Sequence, residues 1–242
     1  MMIQTLAVLA ALASAACAGP RFHLRAAPSE LAGPGEHAIA IVRIRAPWYA
    51  PRFMIARKFR AAVPEYEQIA GLETKHFTIS DDREFGGVYL WTARRAADAF
   101  YTAAWRRGIH ERRGVDPDLL VLDAPFVIKG RATVDGDPLG TRSMSYAGTE
   151  TLVLAPAIGD PIERARVLAG AVKDLDGLVR GEIVIGAARL GFVALWATRA
   201  YAEAATAGLH RLGLDGAEVT YFDAPVLVDG SLRAAISTSV GE

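Results

Sequence analysis

One short stretch of the sequence, Gly86 to Trp91, limits what this chain can fold into. It reads Gly-Gly-Val-Tyr-Leu-Trp, and the alternation of a β-strand places Val88 and Leu90 on one face. Tyr89 and Trp91 then share the other face. An antiparallel strand with one face in water would alternate apolar with polar residues. Because both faces are apolar, we expect protein to cover both sides of the sheet that contains this strand.

A second copy of the pattern, Gly-Phe-Val-Ala-Leu-Trp, occupies positions 191–196. Asp-Ala-Pro also occurs twice, at 123–125 and at 223–225, and a glycine follows each copy, at 130 and at 230. Self-similarity at a fixed period is the sequence signature of a duplicated unit. We therefore expect a first repeat over residues 38–130, a linker over 131–149, and a diverged second repeat over 150–242.

Periodicity predicts the element order βαββαβ in each repeat, which is the order of a ferredoxin-like unit. In the first repeat we expect strands at 39–45, 72–80, 85–91 and 119–128, a helix that is kinked at Pro64, and a helix at 93–107. In the second we expect strands at 151–155, 179–185 and 191–196, a last strand around Asp223, and helices at 161–173 and 199–212. The predicted fold class is α+β: two ferredoxin-like repeats packed sheet to sheet as an intramolecular dimeric α/β barrel, which is a monomer in solution.

Composition excludes some classes of partner. The chain has 242 residues, of which 52% are hydrophobic and 22% charged, so it is long enough for a sizeable core. The 27 basic and 27 acidic residues balance, so no overall positive field draws the chain to nucleic acid. A single cysteine allows no disulfide within the chain.

The N-terminus has the features of a secretion signal. Residues 6–16 form an apolar, Ala/Leu-rich run that is too short to span a bilayer as a helix. The only cysteine, Cys17, follows directly, in a context that resembles a bacterial lipobox. We predict a lipoprotein-type signal peptide over residues 1–16, lipidation at Cys17, and a Pro/Gly/Ala-rich tether over 17–37. The expected location is the bacterial cell envelope, anchored to the membrane by lipid on the periplasmic side; the alternatives are ordinary cleavage with secretion to the periplasm, or a free thiol in an uncleaved tail.

Several of these features together resemble a known family. Gly71 to Lys75, the strand Gly86–Trp91, the alanine-rich helix after it and the Asp-Ala-Pro at 123–125 resemble the YdhR-like candidate monooxygenases, which belong to the dimeric α/β-barrel superfamily near the antibiotic-biosynthesis monooxygenase-like proteins. The resemblance covers residues 38–130, and the second half matches only in outline. Members of that family are usually single-repeat homodimers, so a fused tandem departs from the pattern.

The resemblance implies a cavity between the sheet and its helices in the first repeat. His76 and Tyr89 are the candidate catalytic residues, because either side chain supplies a hydrogen bond or a proton transfer. Candidate ligand-binding residues are Lys75, Phe77, Trp91 and Trp105. Only one face of each strand can line the cavity, and the pattern leaves open which one.

Each candidate also has a simpler interpretation. The aromatic residues are suited to the core, His76 to a surface or interface position, and Lys75 to a strand lysine whose stem packs against apolar surface. By alignment, the second repeat has Gly181 for Lys75, Glu182 for His76, Ala194 for Tyr89 and His210 for Trp105, whereas Trp91 persists as Trp196. We therefore expect any ligand site to lie in the first repeat.

The sequence contains no motif for a cofactor or a metal. The five histidines form no pair at helical spacing, and there is no phosphate-binding loop or dinucleotide fingerprint. Two functions remain. The first is an envelope-anchored protein that binds a small apolar or aromatic ligand or a partner protein; the alternative is a cofactor-independent monooxygenase-like enzyme acting on a small aromatic substrate. A cavity with Tyr89 or His76 in its wall favours the enzyme, and a filled core favours the binding protein.

Overall fold

The computed structural model describes residues 36–47, 49–132, 136–138, 143–186 and 188–229. The predicted signal peptide, Cys17 and nearly all of the tether lie outside the described residues. The expectations about lipidation and location therefore stay predictions.

Within the described residues there are nine strands, five α-helices and one 3-10 helix. The strands are β1 (Ala38–Arg45), β2 (Leu72–Ser80), β3 (Glu84–Trp91), β4 (Asp118–Lys129), β5 (Gly136–Pro138), β6 (Ser143–Pro156), β7 (Leu178–Gly186), β8 (Arg189–Trp196) and β9 (Glu218–Asp229). The helices are α1 (Arg52–Tyr66), α2 (Arg94–Phe100), α3 (Ala103–Arg113), α4 (Pro161–Val172) and α5 (Arg199–Thr206), and the 3-10 helix is Leu209–Leu212.

Eight of the strands close into an antiparallel barrel. Their order around the ring is β6-β8-β7-β4-β1-β3-β2-β9, and β9 pairs with β6 to complete it, while β5 pairs with β6 outside the ring. Closure gives every strand of the ring a hydrogen-bonding partner on each side. The structure therefore confirms a mixed α/β fold built on an eight-stranded antiparallel barrel.

The two halves of the chain contribute four adjacent strands each. The first half supplies β4-β1-β3-β2 and the second supplies β9-β6-β8-β7. The halves are joined by hydrogen bonds between edge strands, β4 with β7 and β2 with β9. Contact between the halves is therefore made along two edges of the sheets as well as across the barrel interior.

Both faces of the barrel wall are covered, as the strand at 86–91 predicts. Val88 and Leu90 point into the barrel and pack in one cluster with apolar residues of both halves, among them Val193 and Phe222. Tyr89 and Trp91 point outward and pack with residues of α2 and α3. A corresponding outer cluster in the second half packs against α4 and α5.

The glycine at the start of β3 is required by the close approach of a neighbouring strand. A Cβ atom added at Gly86 would lie 1.9 Å from the carbonyl oxygen of Val42 on β1. Gly191 stands in the same relation to Val153, at 1.8 Å. Because a backbone atom cannot move aside cheaply, only glycine fits at either position.

Some predicted elements differ from the observed ones. The helix expected at 93–107 is two helices, because Thr102 caps the N-terminus of α3: its hydroxyl accepts a hydrogen bond from the Trp105 amide at 3.2 Å. The helix expected at 199–212 likewise divides into α5 and the 3-10 helix. Pro64 lies in the last turn of α1, which ends two residues later. Finally, β5 and the first part of β6 lie within residues 131–149, which we expected to be a linker.

Candidate functional site

The candidate residues divide between the two faces of the barrel wall. Lys75 pairs with Tyr89 across β2 and β3, and Phe77 and Trp91 share their outward face. Trp105 joins them from α3. His76 pairs with Val88 and points inward. The structure therefore brings five of the six candidates together and separates His76 from Tyr89 by the thickness of the sheet.

Lys75 is enclosed by aromatic rings. Its side-chain nitrogen Nζ lies 3.0 Å from the ring centre of Tyr66, 3.7 Å from that of Phe77 and 4.6 Å from that of Tyr89. Only 2% of the residue surface is exposed. Burial lowers the pKa of the Lys75 amine well below its usual value of 10.5, and the nearby Glu65 carboxylate only partly opposes this.

The remaining outward candidates form a packed aromatic cluster. The Tyr89 and Trp91 rings are stacked, with centres 6.5 Å apart, and Tyr101 meets Trp91 edge to face at 5.7 Å. Trp105 meets Tyr101 at 4.9 Å. Burial raises the pKa of Tyr89 and of Tyr101 well above 10.0. Rings of the protein therefore fill the space in which the resemblance implies a cavity.

A reciprocal exchange of residue size distinguishes the two halves. In the first half, a Cβ atom added at Gly87 would lie 3.0 Å from Lys75 Cε, so the lysine stem occupies the space that the glycine leaves. In the second half the corresponding positions, by strand register, are Phe192 and Gly181. In the second half the large side chain, Phe192, lies on β8, and β7 has Gly181 where β2 has Lys75.

A polar network lies inside the barrel at one end. His76 Nδ1 is hydrogen-bonded to Glu150 Oε2, and both side chains are buried. Glu182 Oε1 accepts a hydrogen bond from Arg180 Nε at 2.6 Å. Burial raises the pKa of Glu182, and the Glu150 carboxylate adds to this, while Arg180 opposes it. The sequence alignment paired His76 with Glu182, but only the closed barrel reveals that the two share an interior.

A surface groove of about 550 Å³ lies elsewhere, between α1 and the start of α5. Arg52, Phe53 and Ala56 form one wall, and Thr198 and Arg199 form the other. The floor consists of Ile79 on β2, Thr149 on β6 and Asp223, Ala224 and Pro225 on β9. Neither Tyr89 nor His76 lines it.

The charged residues of this groove are arranged in pairs. Arg52 is bonded to Asp223, and Arg199 to Asp81 at 3.2 Å and to Glu203 at 2.9 Å. Phe53, in contrast, has 71% of its surface exposed. Sequence analysis missed the groove because its walls come from different halves; the one signal was the Asp-Ala-Pro motif at 223–225, which we interpreted only as evidence of duplication.

The described residues contain neither a candidate metal site nor a candidate membrane-spanning helix. No group of three or more His, Cys, Asp or Glu side chains in this part of the chain is placed to hold a metal ion. None of its helices is long and apolar enough to cross a membrane.

Known proteins resemble the chain in fold alone. No family model and no curated protein matches the sequence. The solved structure of an anthrone oxidase-like protein superposes with a TM-score of 0.52 at 9% identity, covering 83% of this chain and 96% of the other. A candidate monooxygenase from Fusobacterium nucleatum gives 0.55 at 6% identity, covering 81% and 95%. Another, from Lactobacillus acidophilus, gives 0.50 at 12% identity, covering 81% and 97%. Each single chain spans both halves of the barrel.

Proposed function

We propose that this protein binds a small, largely apolar or aromatic molecule in the groove between α1 and α5, without transforming it. The proposal rests on the contrast between a filled region of the first half and an open groove at the surface. Aromatic side chains and Lys75 fill the region beneath α2 and α3, whereas the groove is open and has the size of a small-ligand site.

The lining of the groove suits an amphipathic ligand. Phe53 and Ile79 offer apolar contact, and the exposed ring of Phe53 is available for stacking on an aromatic ligand. Arg52 and Arg199 place guanidinium groups at the two walls. Because both are already paired with carboxylates, we expect them to orient a polar substituent of the ligand while apolar contact supplies most of the affinity.

A screen of aromatic compounds for a thermal shift, followed by titration of the best compound, tests the proposal. We expect Phe53→Ala to weaken binding by about tenfold, since a buried aromatic contact contributes roughly 1.5 kcal/mol or more. Ile158→Ala is the matched control, because Ile158 is 74% exposed and does not line the groove. Equal affinity of the two variants would refute the groove site.

We also propose that the chain is anchored in the bacterial cell envelope through lipid on Cys17. The apolar run at 6–16 directly before the only cysteine supports this. Cys17→Ser should move the protein out of the membrane fraction or stop its processing. Unchanged fractionation together with an unprocessed mass in both proteins would contradict the anchor.

For the origin of the fold we propose a tandem duplication of one ferredoxin-like βαββαβ unit, of the type found in the YdhR-like proteins. The equal strand registers support it: Lys75 pairs with Tyr89 as Gly181 pairs with Ala194, and Leu72 pairs with Trp91 as Leu178 pairs with Trp196. The barrel would then be an intramolecular counterpart of a homodimer, so one chain suffices for closure.

A cofactor-independent monooxygenase-like activity is the second candidate. Perturbed titratable groups concentrate at catalytic sites, and Lys75 and Tyr89 are such groups, in a fold shared with candidate monooxygenases. Oxygen uptake with phenolic compounds, measured for the wild type and for Tyr89→Phe, separates the two candidates. Uptake that the tyrosine variant loses and Phe53→Ala retains would favour the enzyme.

A further inference from the structure

Six titratable groups lie together at one end of the barrel interior and do not belong to the groove. Three come from the first half, His37, Glu73 and His76, and three from the second half, Glu150, Arg180 and Glu182. Glu150 is fully buried, and Glu182 has 2% of its surface exposed. His37 and Glu73 lie nearer the rim, each with a quarter of its side chain exposed.

The links between these groups cross from one half to the other. His76 on β2 is bonded to Glu150 on β6, and Arg180 on β7 lies 3.7 Å from Glu73 on β2. Strands β2 and β7 are four positions apart in the eight-stranded ring, so they form opposite walls. Within each half, Arg180 binds Glu182 and His37 binds Glu73 at 3.0 Å. The network therefore ties opposite walls of the barrel together.

The charges of the network balance only if it carries protons. With neutral histidines, three carboxylates against one guanidinium leave two negative charges in a region largely closed to water. A buried, uncompensated carboxylate is costly. Glu150 Oε1 is buried and has no hydrogen-bond partner among the described residues, which adds to this cost. Each proton that the network binds would reduce this excess charge by one.

We propose that this network is a pH-sensitive latch, which holds the two halves together at this end of the barrel while it carries protons and loosens as they are lost. Leu195 lies opposite Glu150 and Arg180 on the neighbouring strands, and Leu227 lies opposite His76; neither side chain can neutralise these groups. Thermodynamic linkage gives the direction of the pH dependence: when the folded state binds more protons than the unfolded chain, stability falls as the pH rises. Glu182 contributes to this fall in stability from about its usual carboxyl pKa of 4.5 upward, because burial raises the pKa of this carboxyl in the folded protein.

Urea unfolding at several pH values between 5 and 8 tests the latch. Each extra proton in the folded state raises the unfolding equilibrium constant by up to about tenfold per pH unit. Glu182→Gln removes one carboxylate and keeps an oxygen that can accept from Arg180, so it should reduce this dependence by about one proton. Glu111→Gln, at an exposed position on α3, is the matched control and should behave like the wild type.

Hydrogen–deuterium exchange, corrected for its intrinsic pH dependence, distinguishes a local latch from a general loss of stability. Between pH 5 and 8, we expect protection to fall at residues 74–77 of β2 and 180–183 of β7, with little change where β1 pairs with β3. Ionisation of Lys75 gives the wild type and the variant the same opposite slope, so the difference between the two proteins is the measure. The proposal is overturned by equal pH dependence in Glu182→Gln and the wild type, or by a uniform loss of protection. If Glu182→Gln does not fold, the exchange pattern of the wild type still distinguishes a local loss of protection at β2 and β7 from a uniform one.

Discussion

Lys75 illustrates, at the scale of a single residue, how burial sets the chemistry of a side chain in this barrel. Its amine lies 3.0 Å from the centre of the Tyr66 ring, and three rings surround it. Cation–π contacts stabilise the charged form, but loss of hydration opposes it and is the larger effect on the pKa. The residue is thus neither a surface lysine nor an accessible nucleophile.

Lys75→Met should remove a pH dependence from the stability of the protein. Between the lowered pKa of the folded amine and 10.5, the unfolded chain binds a proton that the folded chain does not, so stability rises with pH by up to about 1.4 kcal/mol per unit. Methionine has a similar length and carries no charge. We expect the variant to lose this rise between pH 7 and 9.5, measured by urea unfolding.

The exposed Lys58 supplies the control, since Lys58→Met should retain the wild-type rise. Measurements should stop below pH 10, because burial raises the pKa of Tyr66, Tyr89 and Tyr101 above 10.0. Above pH 10 these tyrosines make the stability fall as the pH rises, which would mask the effect of Lys75. A rise that persists in Lys75→Met would mean that another group is its source.

At the scale of elements, β2 combines an apolar outer face with a polar inner face. Phe77 and Ile79 pack beneath α1, whereas Thr74, His76 and Thr78 face the interior and are buried. From the sequence we assigned His76 to a surface or interface position. In the structure its side chain is buried in the barrel interior, where it meets Glu150 of the second half. Strand periodicity gives the two faces, but only the closed ring gives each face its surroundings.

Residues 38–130 produced alone should therefore associate. Without the second half, β2 loses β9 and β4 loses β7, so two strand edges and the inner sheet face become exposed. We expect a dimer or larger aggregate by size-exclusion chromatography with light scattering. The control is the chain from residue 18 onward, which should be monomeric because its barrel is already closed. A stable monomeric fragment would count against the interdependence of the halves.

At the scale of the whole molecule, closure of the barrel does not by itself define a function. Three solved structures share the fold at 6–12% identity, and their chains match 81–83% of this one. Fold similarity at this level does not carry an activity. In this chain a groove lies between α1 and α5 on the outside of the barrel, and the polar network lies in the barrel interior.

The sequence by itself determined most of the local structure. Alternation in the strands at 86–91 and 191–196 predicted that both faces are buried, which the structure confirms. The repeated Asp-Ala-Pro and glycine spacing predicted two related halves, and that relation stays a prediction. The sequence alignment matched Lys75 with Gly181 and Tyr89 with Ala194; in the structure Lys75 lies opposite Tyr89, and Gly181 lies opposite Ala194. These features depend on contacts within one strand or between neighbouring strands, which periodicity records.

Tertiary structure alone decided which residues share a site. The register of β2 with β3 places His76 and Tyr89 on opposite faces, but closure of the sheet decides that His76 faces inward, and the pairing of His76 with Glu150 joins residues 74 positions apart. The groove likewise needs Arg52 and Phe53 from α1 beside Asp223 from β9. Such contacts depend on how two halves meet in space, and no pattern within either half records that.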